Sequence, residues 1–431
     1  MVSISRAGVR ISKFNGVSLG WLLEGICAFM IAVVPILQHY KGVKLDISSE
    51  LLILCFPFLC FRLFAKKIRQ AAPVIPLVLY AVYISFIHGA DVYTLGREVI
   101  LIFFFLAVLN GIVDTKRTMR AIVLIAKLAC FIEILQYLCY YGLHRHIQCV
   151  PTGMLLDSAE QWILLAKTGR IGVSGRMLAL YRPSAFFLEP SHLAIYCIPA
   201  LVFTLLSQDG IPFPEMRRKN FASAVIISIG ILLSTSGLGL ASVVAIWGLY
   251  IVVYAKETGL FKKIRLKDIV NPKTIALMLA VVVFLVAAYF TVSVFHSAVN
   301  RIFFTSSGEA NSAIGGRTST GIRALKMLSG KKALIGVGSA VDISNWNMSG
   351  FFYTIFKYGL IGCGFAYWFY AKSMLKLKNA YFWLAVMFVG LSFFTVHTYA
   401  AFYRLYYLSF VMAGYWMQRD PLERVKALIA V

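Results

Sequence analysis

The sequence predicts an all-α polytopic membrane protein with about twelve transmembrane helices, forming a single integral membrane domain over residues 1–431. Composition is the first observation: 60% of the residues are hydrophobic, 14% are charged, and the mean hydropathy is +0.80. A globular core could not bury that much apolar surface. Length is the second observation, because several apolar runs reach the ~17 to 25 residues that a helix needs to cross the hydrocarbon layer. A transmembrane barrel would show shorter, alternating segments.

The predicted spans follow the apolar runs in order along the chain. Residues 1–16 contain basic side chains but lead into a full-length run without a small-residue cleavage site, so we expect no removed signal peptide. Hydropathy places the spans at 18–38, 46–65, 72–89, 98–113, 120–141, 185–207, 221–236, 238–255, 274–295, 350–371, 379–397 and 399–417.

Lysines and arginines recur in every second connection between these spans. They are Arg6, Arg10 and Lys13; Arg62, Lys66, Lys67 and Arg69; Lys116, Arg117 and Arg120; Arg217, Arg218 and Lys219; Lys256, Lys262, Lys263, Arg265, Lys267 and Lys273; Lys372, Lys376 and Lys378; and Arg419, Arg424 and Lys426. The positive-inside rule predicts that these connections and both termini are cytoplasmic. The scatter of basic residues between apolar runs also argues against nucleic acid as a partner, despite a net charge of +24.

Two connections predicted to face outward are long, at residues 142–184 and 296–349. Both far exceed the ~4 to 6 residues of a usual connection, and such excess is commonly functional. Residues 155–166 of the first loop have apolar side chains on one helical face, which fits a helix lying flat on the membrane or a solvated helix packing on its neighbours. The second loop has a similar apolar face at Ile322, Leu325 and Leu328.

Polar side chains stand at the start of an apolar run in YRPSAFFLEPSHLAIYCIPALVFTLL, residues 181–206. Pro190 suits the first turn of a helix, so Glu189 has a structural interpretation as a cap that complements the helix dipole. An ionisable group at a membrane boundary is equally a functional candidate. His192 lies one turn further on and shares a face with Glu189, as a structural histidine or as a proton carrier.

Basic side chains outnumber acidic ones in both long outer loops. Arg182 precedes a proline, which favours an extended backbone in the loop, and its guanidinium can bind phosphate oxygens in pairs. The second loop contains Arg317 and Arg323 among its basic residues. Because outward loops are ordinarily poor in positive charge, this composition predicts an anionic ligand held between the loops.

Five charged residues fall within the apolar runs. Arg62 and Lys127 lie near cytoplasmic ends and can extend toward water, while Glu24 is within two turns of a helix start. Glu133 and Arg404 lack such explanations, and Arg404 is predicted to lie near the outer leaflet, where it would support the site.

Several motifs are missing from the chain. There is no D-x-D or E-x-D pair to hold a metal with a nucleotide sugar and no G-x-x-x-x-G-K phosphate loop. The sequence also lacks H-E-x-x-H, and its one G-x-S-x-G match, GVSLG at residues 16–20, lies where the basic N-terminal segment meets the first apolar run. We therefore expect no metal or cofactor, and neither nucleotide chemistry nor an intramembrane protease or esterase.

Four separated segments resemble the Wzy-type polymerases of O-antigen, capsular polysaccharide and exopolysaccharide. R-P-S-A-F-F-L-E-P-S-H-L-A resembles the end of that family's large outer loop. GGRTSTGIRALKMLSGKKALIGVGS, residues 315–339, resembles its arginine-containing helix followed by a G-x-G turn. FFYTIFKYGLIGCG, residues 351–364, resembles the next span, and ILLSTSGLGLAS, residues 231–242, its seventh-to-eighth span junction.

The resemblance implies a GT-C-like glycosyltransferase that joins undecaprenyl-diphosphate-linked repeat units on the outer face of the bacterial cytoplasmic membrane. Its partners would be those lipid-linked glycans, the bilayer, a flippase and a chain-length regulator. Glu189 or His192 would activate the acceptor hydroxyl, and Arg182, Arg317 and Arg323 would bind the diphosphate.

Two other functions stay open at this point. The related O-antigen ligase, which transfers a finished glycan to lipid A core, shares the four segments. A lipid-linked oligosaccharide flippase or a secondary transporter would also have about twelve spans, although transporters favour interrupted helices at mid-membrane over long outer loops.

Overall fold

The computed structural model describes residues 13–14, 17–66, 75–90, 92–113, 115–145, 147, 149–156, 183–206, 213–259, 312–338, 348–375, 377 and 379–395, with separate residues between 279 and 296 and between 403 and 409. The described chain is predominantly helical. Its only strands are β1 (Lys13–Phe14) and β2 (Val17–Ser18), which form a two-residue antiparallel hairpin before the first helix.

The helices of the described chain follow the apolar runs. They are α1 (Leu19–Leu37), α2 (Ile47–Lys66), α3 (Ile75–Ile87), α4 (Val92–Leu109), α5 (Thr115–Leu143), α6 (Pro190–Leu205), α7 (Phe213–Leu233), α8 (Gly237–Glu257), α9 (Ser312–Lys326), α10 (Lys331–Ile335), α11 (Gly350–Met374) and α12 (Asn379–Ser392). A short 3-10 turn also spans Thr152–Met154.

Three of these helices are long and apolar enough to cross a membrane. They contain the stretches Ile47–Ala65, Lys116–Leu143 and Gly237–Lys256. Helices also occupy the predicted spans at the positions of α1 to α8, α11 and α12, whereas the spans predicted at 274–295 and 399–417 lie mostly outside the described residues. An all-α membrane architecture therefore fits the described chain.

The helix ends differ from the hydropathy estimate where charged residues belong to a helix. α4 begins at Val92, earlier than the predicted residue 98, and includes Arg97 and Glu98. α7 begins at Phe213 and includes the basic run before the predicted residue 221. α6 instead begins late, at Pro190, because residues before it form turns in which Ala185 has a φ of 49°.

Helix α6 lies at the centre of the bundle. All of its residues except Ser191 are buried, and it packs against α5, α7, α8 and α12. A helix that is apolar on every side belongs in such a position. Small side chains permit the close approach: a Cβ on Gly230 would lie 2.5 Å from the Cys130 sulfur, and the Cys130 and Cys197 sulfurs are 3.7 Å apart.

Buried tyrosines bond the surrounding segments to the backbone of α6. Tyr403, Tyr406 and Tyr407 donate to carbonyls in its first two turns, at 3.2, 2.9 and 2.6 Å respectively. Tyr196 donates in turn to a carbonyl of α1 at 2.8 Å. Each carbonyl oxygen has two lone pairs, so these bonds add to the helical ones and fix the height of α6 in the bundle.

Candidate functional site

The α1–α2 connection is joined to the first long loop at one end of the bundle, called the capped end below. Tyr40 forms a bridge with Leu155, and the Lys41 amide donates to the Met154 carbonyl at 2.7 Å. The Tyr40 hydroxyl donates to the Phe186 carbonyl at 3.1 Å. Burial raises the pKa of Tyr40, so its hydroxyl keeps the proton that this bond requires.

Gln136 holds the chain in place just before α6. Its amide nitrogen donates to the Ile147 carbonyl at 2.9 Å, and its oxygen accepts from the Ala185 amide at 2.9 Å. Ala185 has a left-handed backbone, which side chains with a Cβ adopt only when their surroundings hold them there. Gln136 thus aims the segment that carries Glu189 and His192.

Glu189 occupies the N-cap position of α6, with Pro190 in the first turn. Its backbone carbonyl accepts from the His192 and Leu193 amides. Its carboxylate, however, makes no cap hydrogen bond to the described helix; it accepts from the Ser191 hydroxyl at 2.8 Å. The side chain is half-buried, so the structure places a carboxylate at the positive end of the helix dipole, bonded to a hydroxyl of the same turn.

His192 lies one turn further along α6 and is buried. Its ring stacks on that of His39, with centroids 5.2 Å apart and planes 3° from parallel. The Tyr403 ring is 6.0 Å from His192 on another side. Sequence reasoning missed His39, since nothing in the pattern of the α1–α2 connection indicates which distant helix it meets.

Two of the four predicted arginines lie in the described part of the chain. Arg182 and Arg404 lie outside the described residues. Arg317 and Arg323 both belong to α9, and Arg323 is exposed. Six residues separate them, so they lie about 120° apart around the helix axis and do not share a face.

Helix α9 packs on α11 with small residues at the contact. Ile322 is 46% exposed, whereas Ala324 is fully buried. Gly321 also faces α11, and a Cβ there would lie 2.8 Å from the Phe352 Cβ. Of the predicted apolar face, Ile322 is thus exposed, whereas Leu328 packs against the cluster that contains Ala324 and Phe356.

The G-x-G turn after α10 inserts into a break in α11. Gly359 has a φ of 65° and a ψ of −174°, which interrupts the helix. The Val337 amide donates to the Phe356 carbonyl at 3.0 Å, and the Gly338 amide donates to the Lys357 carbonyl at 2.8 Å. These amides bond carbonyls at the break, so the second long loop is anchored rigidly to a bundle helix.

A charged pair that sequence reasoning missed lies just before this break. Lys357 is 9% exposed, with its amine 5.0 Å from the centre of the Tyr353 ring. It also interacts electrostatically with Glu98 of α4, which is 7% exposed. Both lie in mostly apolar runs, and that contrast is the only sequence signal for them.

Two of the charged residues in the predicted spans, Arg62 and Glu133, have different surroundings. Arg62 pairs with Glu24, so Arg62 has a partner inside the bundle and does not simply extend toward water. Glu133 is fully buried on α5, and neither carboxylate oxygen has a hydrogen-bond partner among the residues that the structure describes. Glu133 lies one turn deeper along α5 than Gln136.

In the described part of the chain, no three His, Cys, Asp or Glu side chains come together in a cluster that could bind a metal ion. The capped end instead offers a carboxylate and an imidazole on one turn of a buried helix, beside a second imidazole. Such groups can accept a proton from a bound hydroxyl.

Comparisons with known protein families and with curated proteins found no match.

Proposed function

We propose that this chain is a membrane glycosyltransferase that polymerises undecaprenyl-diphosphate-linked oligosaccharide repeat units into O-antigen, capsular polysaccharide or exopolysaccharide. The observation that carries the proposal is the placement of Glu189 and His192 within one turn at the start of α6, in the segment that resembles Wzy-type polymerases. Burial of α6 and its tyrosine bonds hold these two side chains at a fixed height.

The reaction moves a growing glycan onto an incoming repeat unit. The bond between the anomeric carbon of the donor glycan and the diphosphate oxygen breaks, and the diphosphate leaves with the bonding electrons. A hydroxyl of the acceptor sugar forms the new bond to that carbon, and its proton passes to His192 or Glu189. Positioned general bases of this kind contribute about 100- to 10,000-fold in rate.

The arginines act on the leaving group in this proposal. Arg182, Arg317 and Arg323 stabilise the negative charge that grows on the diphosphate as the bond breaks. Because positions 317 and 323 lie about 120° apart around the axis of α9, one arginine contacts the diphosphate directly in this proposal while the other adds to the surrounding positive field. Anchoring of the G-x-G turn in α11 keeps α9 close to the bundle.

The bilayer is the natural surrounding for the apolar surface of the helices. Large apolar side chains stand exposed on several of them, including Leu54, Phe64 and Phe86, each more than 70% exposed. Prenyl tails of the substrates run along such surfaces. In the proposed arrangement about twelve helices cross the bacterial cytoplasmic membrane, both termini are cytoplasmic and the capped end faces outward.

The genetic test is the glycan made by a strain that lacks the gene. A polymerase predicts single capped repeats in that strain. Long unattached polymer would indicate a ligase, and lipid-linked repeats trapped inside the cell would indicate a flippase.

The biochemical test uses purified full-length protein and lipid-linked repeats. We expect Glu189→Gln and His192→Asn to lower the polymerisation rate at least ~100-fold, since neither replacement can take up the proton. The matched control is His144→Asn at an exposed histidine of the first long loop, which is expected to polymerise normally. Wild-type rates for both Glu189→Gln and His192→Asn would refute the assignment.

A further inference from the structure

His39 enters the candidate site from an element far away in sequence. It follows α1, in the connection that reaches α2, yet its ring lies flat against that of His192 at 5.2 Å between centroids. Parallel planes at this distance are a direct ring-to-ring contact. One imidazole thus belongs to the capped end and the other to the central helix.

Hydrogen bonds and burial hold both imidazole rings in place. The His39 carbonyl accepts from the Leu156 amide at 2.9 Å, which ties its backbone to the first long loop. The neighbouring Tyr40 is bonded to the Phe186 carbonyl. On the other side, His192 is 6% exposed within the helix that the tyrosines fix. The stacked contact is therefore built by two rigid segments.

We propose that His39 is a positioning residue for His192, and that the two stacked imidazoles take up one proton between them. This inference rests on the proposed function and on His192, of its two candidate bases, accepting the proton of the acceptor hydroxyl. A neutral ring against an imidazolium is favourable, whereas two imidazolium rings at this separation repel. The first proton therefore binds readily and the second binds only at lower pH.

Among the described residues, the other ionisable groups named near the pair come from four elements. Glu189 lies on the same turn of α6 as His192, and its negative charge favours the first protonation. Tyr403 faces His192 from the last described segment, and Glu133 lies on α5, level with the first turns of α6. Tyr40 adjoins His39. None of these groups lies between the two rings, so two imidazolium rings would still repel each other at this distance.

Sharing one proton has a consequence for the rate at acid pH. When the pair holds a single proton, a fraction of the molecules carry it on His39 and keep His192 free to act as a base. The wild-type rate should accordingly fall in two separated steps as the pH is lowered. A lone His192 would lose activity in one step.

The test compares His39→Phe, His39→Ala and wild type as purified full-length proteins in lipid nanodiscs, with polymerisation followed from pH 5 to pH 8. Phenylalanine keeps a flat ring against His192 but cannot bind a proton. With each rate expressed relative to that of the same protein at pH 8, we expect His39→Phe to lose activity in one step centred about half to one pH unit higher than the wild-type midpoint. His39→Ala should lower kcat about tenfold at pH 8 with KM unchanged, because the His192 ring is no longer held.

A second measurement does not depend on activity. In protein labelled at histidine, the ring resonances of His39 and His192 should titrate in two steps more than about one pH unit apart. In His39→Phe, His192 should titrate in one step. This readout also shows whether each variant is folded.

The outcomes separate the two proposals. If His192→Asn is inactive while His39→Phe matches the wild-type pH profile, His39 only packs against His192 and this inference fails alone. Independent titration of the two histidines would overturn it as well. If Glu189→Gln and His192→Asn both polymerise normally, the catalytic roles of these two side chains are wrong. If the wild-type protein does not polymerise lipid-linked repeats, the proposed function fails, whatever His39 does.

Discussion

Replacing Gly359 with alanine tests the anchored break in α11. The backbone at this position, with φ 65° and ψ −174°, belongs to a region that is essentially restricted to glycine, and a side chain there costs about 1 to 3 kcal/mol. An added Cβ would also lie 2.5 Å from the Gly336 amide nitrogen, a backbone atom that cannot rotate away. Overpacking of that kind costs a further ~1 to 3 kcal/mol. Together they predict a loss of roughly 2 to 6 kcal/mol in the free energy of unfolding.

The assay is unfolding of the purified protein by SDS in mixed micelles, followed by far-UV circular dichroism. Gly364→Ala is the matched control, because Gly364 lies in the same helix and a Cβ there would meet nothing within 4 Å. Alanine exceeds glycine in helix propensity, so the free energy of unfolding of this control should equal that of the wild type or exceed it by up to ~1 kcal/mol.

Equal unfolding free energies for Gly359→Ala and wild type would refute the reasoning. They would mean that α11 can straighten through Gly359 and that the G-x-G turn is not locked in the break. In that case the second long loop would have no rigid attachment at this point, and the placement of α9 beside the bundle would lose its support.

Three further predictions concern charge. Arg317→Lys should slow polymerisation about 100- to 1,000-fold if its paired contact with the diphosphate forms in the transition state, while Lys332→Ala should have a small effect that fades with added salt. Wild-type rates for Arg317→Lys would exclude that contact. A single cysteine that replaces Ser312 should react with a membrane-impermeant thiol reagent added outside, whereas one that replaces Lys263 should not. Outside labelling at position 263 would contradict the topology. Glu133→Met should leave the free energy of unfolding unchanged or raise it by about 1 to 3 kcal/mol, as expected for a buried carboxyl without a hydrogen-bond partner among the described residues. A loss above ~2 kcal/mol would reveal a partner that Glu133 bonds.

The positions of the helices could be predicted because hydropathy is a local property of the chain. α1 and α2 agree with their predicted spans to within a residue at each end. The start of α6 could be read from Pro190, which fits the first turn of a helix, although hydropathy alone placed the span too early, at residue 185. Where charged side chains belong to a helix, as at Arg97 in α4, hydropathy placed the start of the helix too late. Charged side chains lower the average hydropathy of a segment that is nonetheless helical.

The contacts within the site depend on packing, which no local pattern encodes. The four segments with a family resemblance include Glu189 and His192, but nothing in them refers to His39, which meets His192 only when α1 and α6 lie side by side. The break at Gly359 has the same origin: its glycine can be noticed in the sequence, yet its conformation is determined by the backbone of Gly336 lying against it. Local hydrophobicity therefore determined which segments are helices, whereas the close packing of those helices decided which polar groups face one another.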